Sequence, residues 1–199
     1  MAFSLVLLKN GRWYAAPLRL NSWFLVPLLV LSVILVSLFL KRKGKLTFPK
    51  FIALFLFLVY LCFLLSVTLF PINLFGPHAS VYKNGLGQEN VMFNLDIDQL
   101  RLYSGRRILG NIVMLSPLAF FVALFWNKAQ KLLSNILICF FISLAIEFVQ
   151  LGMSYFYLGN RLWDITDIIL NTSGSLLGFS IFIIFRWCFK NEMDSLKLL

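Results

Sequence analysis

Residues 51–70 read FIALFLFLVYLCFLLSVTLF, a stretch that contains no charged residue. A helix needs about 20 predominantly apolar residues to cross the hydrocarbon core of a bilayer, and this stretch is long enough. It is apolar on every side, whereas a helix on the surface of a soluble domain keeps one polar face. The stretch therefore predicts a membrane-spanning helix.

Four further apolar stretches of similar length accompany it. Residues 23–40, 108–126 and 168–185 contain no charged residue, and residues 132–152 contain one, Glu147. Backbone amides in hydrocarbon must be hydrogen-bonded within their own segment or around a closed barrel. The alternation of apolar and polar residues that barrel strands require is missing from this sequence. The sequence thus predicts an all-α integral membrane protein with five transmembrane helices.

The composition of the chain agrees with this fold class. Hydrophobic residues make up 60% of the 199 residues and charged residues 13%, whereas about a quarter of a typical soluble chain is charged. The formal net charge is +10, but the basic residues lie in short segments between apolar stretches. We therefore expect membrane lipids as partners and no nucleic-acid binding.

The cysteines and the lone histidine form no recognisable metal site. Cys62, Cys139 and Cys188 lie inside or at the end of apolar stretches, without a CxxC or Cys/His spacing, and His78 lies in a loop. We expect no zinc site and no disulfide framework.

The distribution of basic residues predicts the topology. Residues 41–50 form a short segment rich in Lys and Arg, and such segments stay in the cytoplasm. We therefore expect the N-terminus outside and the C-terminus inside.

Residues 1–8 are too short for a signal peptide; we expect an interfacial anchor there, with Trp13 and Tyr14 at the lipid headgroups. The predicted organisation is an N-terminal interfacial segment (1–21), two transmembrane helices (22–70), an extracytoplasmic loop (71–105) with one short helix at 98–103, a three-helix core (106–187) and a cytoplasmic tail (188–199).

One set of polar and small residues follows steps of three and four along the fifth helix: Asp164, Asp167, Asn171, Gly174 and Gly178. Such steps place residues on one face of a helix. The two glycines would let another helix approach closely. The carboxylates and the amide would then face that helix rather than lipid.

A second set of polar residues comes to the same end of the predicted bundle. Glu147 and Gln150 lie three residues apart on the fourth helix, Arg161 lies in the link, and Asn111 lies on the third helix, which Pro117 loosens deeper in the membrane. Polar groups inside a membrane are costly and usually face an interior or a wet cavity. The sequence predicts one outward-facing, ligand-binding pocket, formed by Asn111, Glu147, Gln150, Arg161, Asp164, Asp167 and Asn171.

These residues also have structural interpretations, which the sequence leaves open. Asp164 or Thr166 would cap the fifth helix, and Asp167 would complement its dipole. Glu147 and Arg161 would form an ion pair. For Gly174 and Gly178, helix packing is the favoured interpretation.

The same region resembles the VanZ-like family. That family's pattern is ExxQ, a short loop with a basic residue, and a helix reading D-I-x-D-x-x-x-N-x-x-G-x-x-x-G. The corresponding residues here are 147–150, Arg161 and 164–178. The resemblance extends over residues 66–180.

Upstream motifs follow the family less closely. Residues 68–71 resemble its T-L-x-P helix end, and residues 110–117 are similar to its N-x-x-x-F-x-P segment, with Leu115 in place of Phe and Ala119 in place of a following Gly. Its NLxPF element begins at residues 94–98 and then diverges, so we expect the loop shaped by that element to bind something different here.

The resemblance implies a multi-pass protein of the bacterial cytoplasmic membrane that contributes to resistance against the glycopeptide teicoplanin. It would bind or modify a cell-envelope lipid, a lipid-linked wall precursor or a lipoglycopeptide. Acidic side chains of the pocket would accept an ammonium group, and Arg161, Arg106 and Arg107 would pair with phosphate. Binding without a cofactor is favoured, while the oligomeric state and any reaction stay open.

Two alternatives remain. In a membrane enzyme acting on a lipid phosphate or isoprenoid, Asp164 and Asp167 would hold Mg²⁺, although the GxSxG, HExxH and P-loop signatures are missing. In a small ion-coupled transporter Glu147 would carry the ion, although the sequence shows no internal repeat.

Overall fold

The computed structural model describes residues 4–7, 13–44, 46–83, 85–87 and 93–190. Within these ranges, five helices are long and apolar enough to cross a membrane. They are α1 (Leu25–Arg42), α2 (Phe48–Leu69), α3 (Gly105–Phe125), α4 (Leu132–Tyr155) and α5 (Ile165–Cys188). The predicted fold class is confirmed, and the chain is a multi-pass membrane protein.

Helices α3 and α5 begin about one turn earlier than their apolar stretches, because capping side chains set their ends. Ser104 Oγ accepts a hydrogen bond from the Arg107 N–H at 3.3 Å. Asp164 Oδ1 accepts one from the Thr166 N–H at 2.9 Å. Hydropathy marks the part of a helix that lies in hydrocarbon, whereas a cap is a polar residue just outside it. The other helix ends differ from the predicted ones by a turn or less.

The closest packing in the bundle joins α3 to α5, where glycine allows the two backbones to meet. A methyl group at Gly174 would overlap the carbonyl oxygen of Ile112, and one at Gly178 would overlap that of Ser116. The Ser116 hydroxyl also lies 2.9 Å from the Gly174 carbonyl oxygen. In lipid, where apolar surface provides little drive for helices to associate, such close contacts hold a helix pair together.

The apolar core lies between α2 and the three following helices. Leu115, Ala119 and Cys139 are fully buried there, and Phe57 packs on Phe121 with ring centroids 5.4 Å apart. By contrast, α1 contacts mainly α2 and leaves large apolar side chains such as Leu35 exposed. Such faces suit contact with lipid.

One end of the bundle, here called the polar end, is where α2 and α4 finish and α3 and α5 start. Within the described residues, the segments outside the helices there form three small two-stranded sheets. Strands β1 (Ser4–Leu7) and β2 (Trp13–Ala16) pair antiparallel, as do β3 (Leu18–Leu20) and β4 (Ile72–Leu74), while β5 (Phe93–Asn94) pairs parallel with β6 (Trp163–Asp164). The last pairing sets Asn94 beside Asp164, just before α5.

Several predicted features of the connections differ or lie outside the described residues. The short helix predicted at 98–103 is a 3-10 helix over Ile97–Leu102. The proposed anchor at residues 1–8 is described only over Ser4–Leu7, a strand. Most of the predicted tail, residues 191–199, lies outside the described ranges.

Candidate functional site

A cavity of about 310 Å³ opens at the polar end between α2, α3, α4 and α5; we call it the polar cavity. Six of the seven predicted pocket residues line it: Asn111, Glu147, Gln150, Arg161, Asp167 and Asn171. They come from three helices and one link, and they meet because α4 ends where α3 and α5 begin.

Asp164, the seventh predicted residue, lies behind the cavity wall instead of lining it. Its side chain is fully buried and caps α5 through the Thr166 N–H. Its other oxygen, Oδ2, accepts hydrogen bonds from the Tyr103 hydroxyl and from Arg107 Nη2. Burial by itself would raise the pKa of Asp164, but the hydrogen bonds from Thr166 and Tyr103 hold that pKa below its usual value.

Arg107 links Asp164, the cap of α5, to Asp167 in the first turn of that helix. Its Nη2 lies 2.8 Å from Asp164 Oδ2 and 3.1 Å from Asp167 Oδ2. Its guanidinium also stacks on the Tyr103 ring, with 3.7 Å between Cζ and the ring centroid. One guanidinium therefore compensates two carboxylates, and its predicted role as a phosphate partner competes with these contacts. Arg106, its neighbour, is exposed and does not line the polar cavity.

Among the side-chain amides of the site, that of Asn111 orients Asp167, and that of Asn171 has an oxygen without a donor in the described part of the chain. Asn111 Nδ2 donates to Asp167 Oδ1 at 2.6 Å. Asn171 Nδ2 donates to Ser143 Oγ at 3.1 Å. Asn171 lines the cavity, and its buried Oδ1 has no hydrogen-bond partner among the residues that the structure describes. A donor group entering the cavity would satisfy it.

The ion pair considered for Glu147 and Arg161 is not formed, and this corrects the structural interpretation of the two residues. Glu147 Oε2 instead accepts a hydrogen bond from the Asp164 N–H at 3.0 Å. Arg161 Nη2 donates to the Phe70 carbonyl oxygen at 3.0 Å. The last carbonyls of a helix lack intrahelical donors, so the end of α2 competes for the guanidinium. Burial lowers the pKa of Arg161, while the nearby Glu147 opposes that shift.

Gln150 also forms a hydrogen bond to the end of α2. Its Nε2 donates to the Thr68 carbonyl oxygen at 2.9 Å, while the Thr68 hydroxyl donates back to Leu64 within the helix. Gln150 and Arg161 thus fasten the end of α2 to the α4–α5 unit and define one wall of the cavity.

The residues considered for Mg²⁺ do not fit an ion. The Arg107 guanidinium already lies against both Asp164 and Asp167, and Thr166 occupies the remaining oxygen of Asp164. In the described part of the chain, no group of three or more acidic, Cys or His side chains is arranged to hold a metal.

Sequence reasoning missed Tyr103, Asn94 and Ser143. Tyr103 donates a hydrogen bond to Asp164 and accepts one from Asn94 Nδ2 at 3.2 Å. Burial is the main cause that raises the pKa of Tyr103, and the hydrogen bond to Asp164 adds to it. Tyr103 and Ser143 have ordinary local sequence contexts. The one signal was Asn94, which opens the diverged NLxPF element and pairs with Asp164 between β5 and β6.

The VanZ/LLP1 family model matches residues 57–186, well over half of the chain. The chain belongs to the VanZ/LLP1 family. This confirms the resemblance inferred from the motifs of the fourth and fifth helices, and every residue that lines the polar cavity lies within the matched VanZ/LLP1 region. No curated protein and no solved structure matches the chain.

Proposed function

We propose that the polar cavity binds the headgroup of a cell-envelope lipid that carries both a phosphate and an amine. The observation that carries this proposal is that Glu147 and Arg161 line one cavity without pairing with each other. Both ion pairs found among the described residues belong to Arg107. The cavity therefore offers one carboxyl and one guanidinium group that lack an opposite charge in direct contact.

The two groups have complementary preferences. A guanidinium presents a planar fork of donors that matches phosphate oxygens. Only Nη2 of the Arg161 guanidinium donates to carbonyl oxygens, those of Val67 and Phe70. Glu147 is 2% exposed, and as a carboxylate it gains from an ammonium partner, because buried charges are costly unless paired. A zwitterionic headgroup would satisfy both, with the open Asn171 Oδ1 accepting a further N–H.

We place the chain in the bacterial cytoplasmic membrane with the polar end outside. The support is a set of described basic residues at the opposite end of the bundle: Lys41, Arg42, Lys43, Lys50, Lys128, Lys131, Arg186 and Lys190. Such basic residues favour the cytoplasmic side. The polar cavity would then meet lipid headgroups of the outer leaflet and lipid-linked wall precursors.

By analogy with the family's namesake, we further propose that the chain lowers susceptibility to teicoplanin-type lipoglycopeptides. Holding an envelope lipid or a lipid-linked wall precursor would alter the surface on which such an acylated antibiotic settles. This part of the proposal is drawn from the resemblance, whereas the headgroup chemistry is drawn from the cavity.

Native mass spectrometry of the purified protein with added palmitoyl-oleoyl phosphatidylethanolamine or phosphatidylglycerol tests the headgroup. We expect the wild type to retain the ethanolamine lipid more strongly, because phosphatidylglycerol lacks the ammonium group. Glu147→Gln keeps an acceptor for the Asp164 amide but removes the charge. It should weaken retention of the ethanolamine lipid by about tenfold, as loss of a charge-assisted hydrogen bond of ~1.5 kcal/mol would.

Asp98→Asn is the matched control, since Asp98 is exposed in the connection before α3 and does not line the polar cavity. It should retain both lipids as the wild type does. Equal retention of the ethanolamine lipid by wild type and Glu147→Gln would refute the headgroup proposal.

The resistance proposal is tested in a susceptible bacterial host. Expression of the wild type should raise the inhibitory concentration of teicoplanin more than that of a glycopeptide without an acyl chain. Asp167→Asn should abolish the increase while membrane insertion stays normal, because it removes a charge from the cavity wall but keeps the acceptor for Asn111. If Asp167→Asn raised the inhibitory concentration of teicoplanin as much as the wild type does, resistance would not depend on the charge of the polar cavity.

A further inference from the structure

An apolar groove of about 410 Å³ runs between α2 and α3; we call it the α2–α3 groove. Tyr60 and Phe63 of α2 line one side, and Gly110, Val113 and Pro117 of α3 line the other. Phe63 is 63% exposed and Val113 54% exposed. The groove is therefore open towards the side of the bundle, where a bilayer would surround it.

The groove exists because α3 packs unevenly on its neighbours. Its contact with α5 is the most extensive in the structure, whereas its contact with α2 is sparse. One hydrogen bond, from the Tyr60 hydroxyl to the Met114 carbonyl oxygen at 2.9 Å, bridges the gap between α2 and α3. Gly110 keeps the gap open, since nothing lies within 4 Å of where its Cβ would be.

The groove adjoins the polar cavity. Four residues line both spaces: Val67, Arg107, Asn111 and Met114. The polar cavity is lined mainly by charged and amide groups, whereas the groove is lined mainly by aromatic and aliphatic ones. Tyr60 lies about two helical turns farther from the polar end than Val67. The headgroup site therefore lies next to an apolar groove that follows the helices away from the polar end.

We propose that the α2–α3 groove holds a hydrocarbon chain of the same lipid whose headgroup occupies the polar cavity. This inference rests on the proposed function, and it narrows the ligand class to membrane-anchored amphiphiles that enter sideways from the bilayer. The chain would gain apolar contact with Phe63, Val113 and Pro117, while Arg107 and Asn111 mark the level at which the headgroup begins. A soluble molecule with the same headgroup would leave the groove unfilled.

Two substitutions that fill the groove test the inference, each with a matched control. Gly110→Phe is compared with Gly152→Phe, because both glycines are helical and have nothing within 4 Å of the Cβ position. Val113→Trp is compared with Val149→Trp, because the two valines are 54% and 48% exposed and Val149 lines neither space. Neither Gly110 nor Val113 lines the polar cavity.

Retention of palmitoyl-oleoyl phosphatidylethanolamine is measured by native mass spectrometry for these variants and for Glu147→Gln. We expect Gly110→Phe and Val113→Trp to lower its affinity by about tenfold, because the new ring would occupy the space of the hydrocarbon chain and remove its dispersion contacts with the groove. Both controls should match the wild type. Thermal denaturation in detergent identifies any variant that does not fold. If one of the two groove variants fails to fold, the lipid retention of the other one tests the inference.

The two proposals fail in different ways. If the groove variants retain the lipid as the wild type does while Glu147→Gln loses it, the chain lies elsewhere and the groove inference is overturned, but the headgroup proposal stands. If Glu147→Gln retains the lipid while the groove variants lose it, the headgroup proposal fails and the groove is an apolar lipid site. A loss in the control variants as large as in the groove variants would also overturn the inference.

Discussion

Gly178→Ala is expected to lower the free energy of unfolding by about 2 kcal/mol, which is a steric cost of about 3 kcal/mol, at the upper end for overpacking, less the gain in helix propensity. The added methyl group would overlap the Ser116 carbonyl oxygen. That atom belongs to the backbone of α3 and cannot rotate away as a side chain can. Alanine gains about 1 kcal/mol of helix propensity over glycine, so the steric term outweighs it. Thermal denaturation in detergent measures the result.

Gly152→Ala is the matched control for this prediction. Gly152 is also helical, but nothing lies within 4 Å of its Cβ position, so only the gain in propensity acts and stability should be unchanged or slightly raised. Gly174→Ala should resemble Gly178→Ala, because its methyl group would overlap the Ile112 carbonyl oxygen. Equal melting temperatures for Gly178→Ala and Gly152→Ala would contradict the close contact of α3 with α5.

Asp164→Ala is expected to cost about 3 kcal/mol, more than the ~1 kcal/mol typical of a lost helix cap. The carboxylate is fully buried, and its removal strips partners from the Thr166 N–H and the Tyr103 hydroxyl. Arg107 keeps Asp167 and is partly exposed, so its share of the loss is reduced by solvent. Chemical or thermal denaturation in detergent measures the difference.

Asp96→Ala provides the comparison, because Asp96 also caps a helix, the 3-10 helix Ile97–Leu102, through the Asp98 N–H at 2.9 Å. That cap is exposed and makes no ion pair in the described structure, so its loss should stay within about 1 kcal/mol. Similar losses for Asp164→Ala and Asp96→Ala would show that the network around Asp164 contributes little beyond capping.

Much of this architecture follows from local sequence. The lengths of the apolar stretches determine five helices, because only a helix satisfies its own backbone in hydrocarbon. The steps of three and four from Asp167 to Gly178 determine one face of α5. Because each helix crosses the membrane once, successive helices run in opposite directions. The ends of α2 and α4 therefore lie on the same side as the starts of α3 and α5, opposite residues 41–50.

The pairing of charges was decided by tertiary structure alone. Arg107 and Asp164 lie far apart in sequence, and their contact depends on the close approach of α3 to α5 and on the Tyr103 ring that supports the guanidinium. Glu147 and Arg161 are near in sequence but remain apart, because the end of α2 supplies carbonyl oxygens that hold Arg161. Local sequence determines which groups a helix presents, but a charge interacts with whichever partner the packing of other helices brings closest.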